Sequence, residues 1–225
     1  CPSGGSTQGG PGSAQDGHGH GTNVTGIVTS RGTIAPLGGA PDASIVAVKV
    51  LDDNENGSSS DLIAAMDWIR LNQPSVRVVN ISIGAGLYEG VCDNQDATTQ
   101  AYATAVNNLR QAGMLVTAAS GNGNSSSKMS LPACIQKATS VGAAYDADFG
   151  IEIYANCIDW YTAPDVVACF SNSNSTTDIF APGAYTTSTG LAGDPLTSSG
   201  RSSYAGTSQA APLVAACAAV LLQAE

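Results

Sequence analysis

Apolar residues fall into two rhythms along this chain. Three short runs are apolar at nearly every position: Ala43 to Leu51 (ASIVAVKVL), Val76 to Ile83 (VRVVNISI) and Met114 to Ala119. Such runs predict strands buried on both faces. Between them, apolar residues recur at helical spacing. Leu62, Ala65, Met66 and Ile69 mark one face of a helix over 61–73, ended by Pro74. Tyr102, Ala105, Val106 and Leu109 mark another over 98–112, closed by Gly113. Alternating strands and helices predict an α/β fold with three layers, α/β/α, around a mostly parallel sheet. Asn23 to Val28 begins a short helix, and Gly84-Ala85-Gly86 breaks the second strand. Beyond residue 138 the pattern turns β-rich, with runs at Thr139–Ala144, Val166–Phe170 and Asp178–Phe180. A long helix of small residues follows from Thr207. With neither linker nor repeat, residues 1–225 read as one domain.

Composition narrows the partners. Charged residues make up 12% of the 225, with a formal net charge of −10. That field repels nucleic acid and anionic membrane, so neither is an expected partner. No run is long and apolar enough to span a bilayer. The six cysteines lack zinc-site spacing. Polar-loop positions for Cys1, Cys92 and Cys157 point to disulfides and an oxidising compartment, hence a secreted protein, whereas Cys217 reads as a buried free thiol. Four N-x-[ST] sequons, at Asn23, Asn80, Asn124 and Asn174, are taken as chance.

Two short blocks carry the chemistry. Gly19-His20-Gly21-Thr22 presents an imidazole in a glycine frame, and Gly206 to Pro212 presents Ser208 at the mouth of an apolar helix. A base and a nucleophile make two thirds of a serine-hydrolase site, and a helix N-terminus favours a developing oxyanion. His18 and His20 are the only histidines. The rigid helix-forming run after His20 makes it the base, and His18 fits a surface loop.

These blocks resemble the subtilisin-like serine proteases, or subtilases. The histidine block H-G-T-x-V-x-G is matched by His20 to Gly26, and the serine block G-T-S-x-A-x-P by Gly206 to Pro212. Asn23 stands where a second histidine is common, and Gln209 where methionine is common. Val48-Lys49-Val50-Leu51 with Asn56-Gly57-Ser58, Asn80 to Gly84, Ala118 to Asn122, Leu131-Pro132-Ala133 and Ala181-Pro182-Gly183 follow the family in order. The resemblance implies a serine endopeptidase working through an acyl-enzyme, with polypeptide as its substrate. Ser208 attacks, His20 moves the proton, and the Asn122 amide holds the oxyanion with the Ser208 N–H. An extended substrate adds as a strand between Ser82-Ile83-Gly84 and the loop near Gly57, with Gly84 and Gly121 permitting close approach. Ser59, 82–86 and 120–130 line open, apolar-tolerant pockets.

The orienting acid is the missing part. Asp16 lies in the same loop as His20 and lacks the D-[ST]-G context, so it is not read as the acid. Asp52 and Asp53 fit the substrate-edge loop. The family's Asp block and central strand are expected upstream of Cys1, the chain reading as cut at both ends. Cys157 and Cys169 bracket a short acidic loop and can pair; Cys92 and Cys134 are expected to pair; Cys1 seeks a partner in the upstream segment. The chemistry requires no cofactor, the resemblance admits structural calcium with no ligand named, and a monomer is expected. The rival readings are a related domain that binds peptide without cutting and, more distantly, a lipase or esterase, against which the absence of a G-x-S-x-G elbow speaks.

Overall fold

The structure, a computed structural model, describes residues 9–10, 12–191 and 200–224. Its centre is a parallel sheet of four strands: β1 (Val78–Ile81), β3 (Leu115–Ala119), β5 (Thr139–Ala144) and β8 (Ile179–Pro182), in that spatial order. Ile81 stands beside Ala118, Ala119 beside Val141, and Ala143 beside Ala181, so each strand feeds the next without a register break.

One face is covered by α2 (Ser59–Asn72) and α3 (Ala97–Gln111). Both begin on a capping box, Ser58 with Asp61 and Asp96 with Thr99, in which each side chain answers the other residue's backbone N–H. Met66, Tyr102, Val106 and Leu109 pack there against Val79, Ile81, Val116 and Ala118. The other face is covered by α4 (Thr207–Gln223), whose Ala210 and Ala211 lie against Ala119, Val141 and Ala143. Its small side chains let the helix sit deep. α1 (His20–Thr29) packs alongside α4. The three-layer α/β/α expectation therefore holds.

Two expectations need correction here. Ala43 to Leu51 forms no strand: 43–50 are irregular, with Ile45 and Val46 exposed at 46% and 43%. A strand exists only with a ladder partner, and none among the described residues reaches this segment. β1 pairs with β3 alone, and between β1 and 43–51 lies a groove of about 1270 Å³. Val24, Val28, Met66, Ile69, Ala215 and Ala219 line it from both faces. The expected break after the second strand holds: β1 ends at Ile81, and a separate strand, β2 (Ala85–Glu89), follows, paired antiparallel with β4 (Lys128–Leu131). Cys217 is the second correction. It is a free thiol, but exposed. It shares an outer stripe of α4 with exposed Val220 and Leu221, and an all-apolar helix carries no polar stripe to mark that side.

Two further two-stranded sheets are found among the described residues. β6 (Glu152–Ile153) and β7 (Ile158–Asp159) make a hairpin, and β9 (Thr186–Thr189) pairs antiparallel with β10 (Arg201–Tyr204). Val166–Phe170, expected as a strand, contributes only a bridge from Val167 to Ala144. Disulfides join Cys92 to Cys134 and Cys157 to Cys169. Cys1 lies outside the described residues.

Candidate active site

Ser208 is the second residue of α4, at the end where helix N–H groups lack intrahelical acceptors. Pro212, four residues on, has no N–H to give the Ser208 carbonyl. Ser82 supplies one instead: its hydroxyl donates to that carbonyl at 2.8 Å. The Ser208 hydroxyl donates back to the Ser82 carbonyl at 2.9 Å. Behind Ser82, Asn80 Nδ2 donates to its hydroxyl oxygen, and Thr117 donates to Asn80 Oδ1. The sheet thus grips the first turn of α4 through a polar chain running from β3 through β1.

Asn122 closes the turn after β3. Its Oδ1 accepts from the Thr207 N–H at 2.9 Å and the Thr207 hydroxyl at 3.0 Å. With the oxygen so occupied, Nδ2 is the free end of the amide, and it lies beside Gly206: a Cβ built there would sit 3.1 Å from it. A donor and a helix N-terminus therefore flank Ser208 together, an arrangement suited to a negative oxygen.

His20 opens α1 and is half-buried, its ring edge-on to Tyr204 with centroids 6.4 Å apart. Burial lowers its pKa below the ordinary 6.5, against the raising influence of Glu55 and Asp16. The ring is therefore neutral at pH 7, the state a base needs. The Ser208 hydroxyl points to Ser82 rather than to His20, so a side-chain rotation separates this geometry from proton transfer, a common looseness without substrate.

What ties the first turn of α1 to the first turn of α4 was not foreseen from sequence. Asn23, one turn beyond His20, accepts from Gln209 Nε2 at 3.2 Å, and Gln209 adjoins Ser208. Asn23 Nδ2 donates to the Ser202 hydroxyl at 2.8 Å. Asn23 and Gln209 are buried, at 0% and 2% exposure. The two positions that depart from the usual blocks are thus hydrogen-bonded to one another.

Asp16 serves the fold. Its carboxylate accepts from the N–H groups of His18, Gly19 and Thr22 and from the Thr22 hydroxyl, all within 2.9 Å. Burial would raise its pKa, but these bonds outweigh it and hold the group at about 2. Asp53 ties the Gly17 N–H to Lys49, and Asp52 closes its own turn onto Asn54 and Asn56. His18 lies 3.5 Å from Glu55. Among the described residues, no carboxylate is hydrogen-bonded to the His20 ring.

The expected substrate-binding positions are placed as follows. Ser82 and Ile83 extend from β1, and Gly84 leads into β2. A Cβ at Gly84 would meet the Leu131 carbonyl oxygen at 2.9 Å; at Gly121, whose φ is +104°, it would meet Ser130 Oγ at 2.4 Å. At Gly57 it would meet the Val50 carbonyl oxygen at 2.5 Å. The protein's own packing accounts for all three glycines. Asn172 was also missed: buried at 1% exposure, its Oδ1 accepts from the Gly123 and Ser125 N–H groups. Nothing in its Ser/Asn-rich surroundings marks it in the sequence.

The chain is similar to known proteins along most of its length. The subtilase family, peptidase S8, matches residues 4–225. An extracellular serine proteinase of Thermus sp. (strain Rt41A) is 36% identical over 212 residues, 94% of this chain and 43% of that protein. Proteinase R of Parengyodontium album is 34% identical, over 93% of this chain and 46% of its own length. The chain spans less than half the length of these relatives. A crystal structure of a cold-adapted subtilisin-like serine proteinase superposes with a TM-score of 0.68 at 28% identity, covering 94% of this chain and 63% of that one.

Proposed function

The chain belongs to the subtilase family, and on that premise we propose that it is the core of a secreted serine endopeptidase that cleaves polypeptides through an acyl-enzyme. What supports the reading is that the Asn23–Gln209 bond ties the helix opening on His20 to the helix carrying Ser208, with the Asn122 amide bonded to the Thr207 N–H next to Ser208. Ser208 Oγ attacks the peptide carbonyl as His20 takes its proton. The carbonyl oxygen, now negative, receives hydrogen bonds from Asn122 Nδ2 and the Ser208 N–H. His20 returns the proton to the leaving amine, and water then releases the acyl group by the same route. The extended substrate lies along Ser82-Ile83-Gly84 on one side and the Gly57 loop on the other, adding a strand.

The remaining need is an acid to orient His20. We place it on an extended strand seated in the groove beside β1, which offers an unpaired strand edge and apolar walls. Seated there, the strand would pair with β1, cover Ile45 and Val46, and end near His20, which also lines the groove. No cofactor enters the chemistry. Among the described residues no group of three or more His, Cys, Asp or Glu converges to hold a metal ion, and no step is routed through calcium. Two disulfides fit secretion, and no helix among the described residues is long and apolar enough to cross a membrane. The protein is proposed to act as a monomer, with no nucleic-acid partner.

A second reading, peptide binding without cleavage, is favoured by the lack of a carboxylate on His20. Covalent labelling with a fluorophosphonate probe separates the two. The chain extended by its natural upstream residues is expected to label, and Ser208→Ala to abolish labelling. A longer form that folds but never labels would establish the binding reading.

A further inference from the structure

The segment 121–125, which carries the oxyanion donor, is anchored on nearly every peptide. The Gly121 N–H donates to the Thr207 hydroxyl at 3.0 Å, Gly123 and Ser125 donate to Asn172, and Asn124 donates to the Phe170 carbonyl at 2.9 Å. The Asn122 peptide is held from outside the core. Asn156 Nδ2 donates to the Asn122 carbonyl at 2.9 Å, and Asn124 Nδ2 reaches the Asn156 carbonyl at 3.4 Å.

Asn156 sits at the tip of the β6–β7 hairpin, between two fixed residues. Cys157 is bonded to Cys169. The Tyr154 ring packs edge-on against Phe170 with centroids 4.7 Å apart. Asp159 Oδ2 accepts from the Cys169 N–H at 2.8 Å and from the Tyr145 hydroxyl at 2.6 Å. The hairpin and the Asn122 loop thus share one anchor, the segment 168–170. A side chain on a stapled tip delivers its amide to one point with little orientational freedom.

We propose that Asn156 is a positioning residue for the oxyanion site: by holding the Asn122 carbonyl it fixes the plane from which the Asn122 amide points at the reacting oxygen. The inference rests on the proposed hydrolysis. Its mark is dependence on Asn122. Asn156→Asp keeps the shape but removes the donor, and Asn156→Ala removes both.

In the natural full-length protein, both substitutions are expected to lower kcat about 3- to 10-fold, the range for loss of one hydrogen bond, with KM unchanged. In an Asn122→Ala background, neither should lower kcat further. A loss that persists undiminished in that background, or one confined to KM, would overturn the proposal. If the natural protein neither turns over nor labels at Ser208, the hydrolysis reading has failed instead. Amide hydrogen exchange at Gly123 and Asn124 then decides the clamp: faster exchange in Asn156→Asp supports it, and unchanged exchange overturns it.

Discussion

Two sides of the same sheet end differently. Toward Ser208, polar groups are paired: Ser82 and Ser208 donate to each other's carbonyls, Thr207 donates to Asn122, and Gln209 donates to Asn23. Toward the far edge of β1, apolar groups lack any cover, and Ile45 and Val46 stand half in solvent over a groove. A hydrogen bond needs one partner in one place. A strand needs a whole neighbour along its length. The side carrying Ser208 is therefore held by single pairings, whereas the other side offers room for an entire element.

The largest test is to supply that element. Extending the chain upstream should raise the rate of Ser208 labelling about 10⁴-fold, the order of effect of an orienting acid on a histidine base. An unchanged rate in a folded extended chain would leave the two sides unrelated. Core truncation sharpens the contrast next. Leu109→Ala, at a fully buried site, should cost about 2–5 kcal/mol in denaturant unfolding. Val46→Ala should cost under about 0.5 kcal/mol in the chain as given, and markedly more once the groove is filled.

A smaller effect is expected on the polar side. Asn23→Ala leaves Gln209 buried and unsatisfied, at about 1–3 kcal/mol. Pairing it with Gln209→Met should recover part of that loss, since both polar partners are then gone; strict additivity would mean the amides do not act together. The mildest lever is pH. His20 must be neutral to accept a proton, and burial lowers its pKa below 6.5. In the chain as given, the His20 ring should therefore titrate with a midpoint below 6.5 in a pH series of its NMR signals. A midpoint above 6.5 there would contradict the buried placement, whereas the proposed carboxylate, once seated beside the ring, should raise it.

Most of the layer order was legible because periodicity reports burial, and burial is what the helices over 59–72 and 97–111 share with the central strands. Ala43–Leu51 misled for the same reason: an apolar run records a preference for burial, and a strand also needs a ladder partner, which the pattern does not report. His20, Ser208 and Asn122 stood out because short glycine-framed blocks carry them, and their roles belong to the proposed hydrolysis. Asn172, Asn156 and the Asn23–Gln209 pair were not. An amide that braces a loop from another part of the chain has no local rhythm, and its partner is fixed only by the fold. Gly84 and Gly121 were legible as special, yet their neighbours turned out to be Leu131 and Ser130 rather than a substrate.

The bond between Asn23 and Gln209 spans 186 positions. A contact so distant in sequence forms late, since most of the intervening chain must collapse before its ends can meet. Synthesis runs from His20 toward Ser208, so the two buried amides are made far apart in time and meet only once the sheet between them is in place. Their bond is thus a late seal on the packing of α1 against α4.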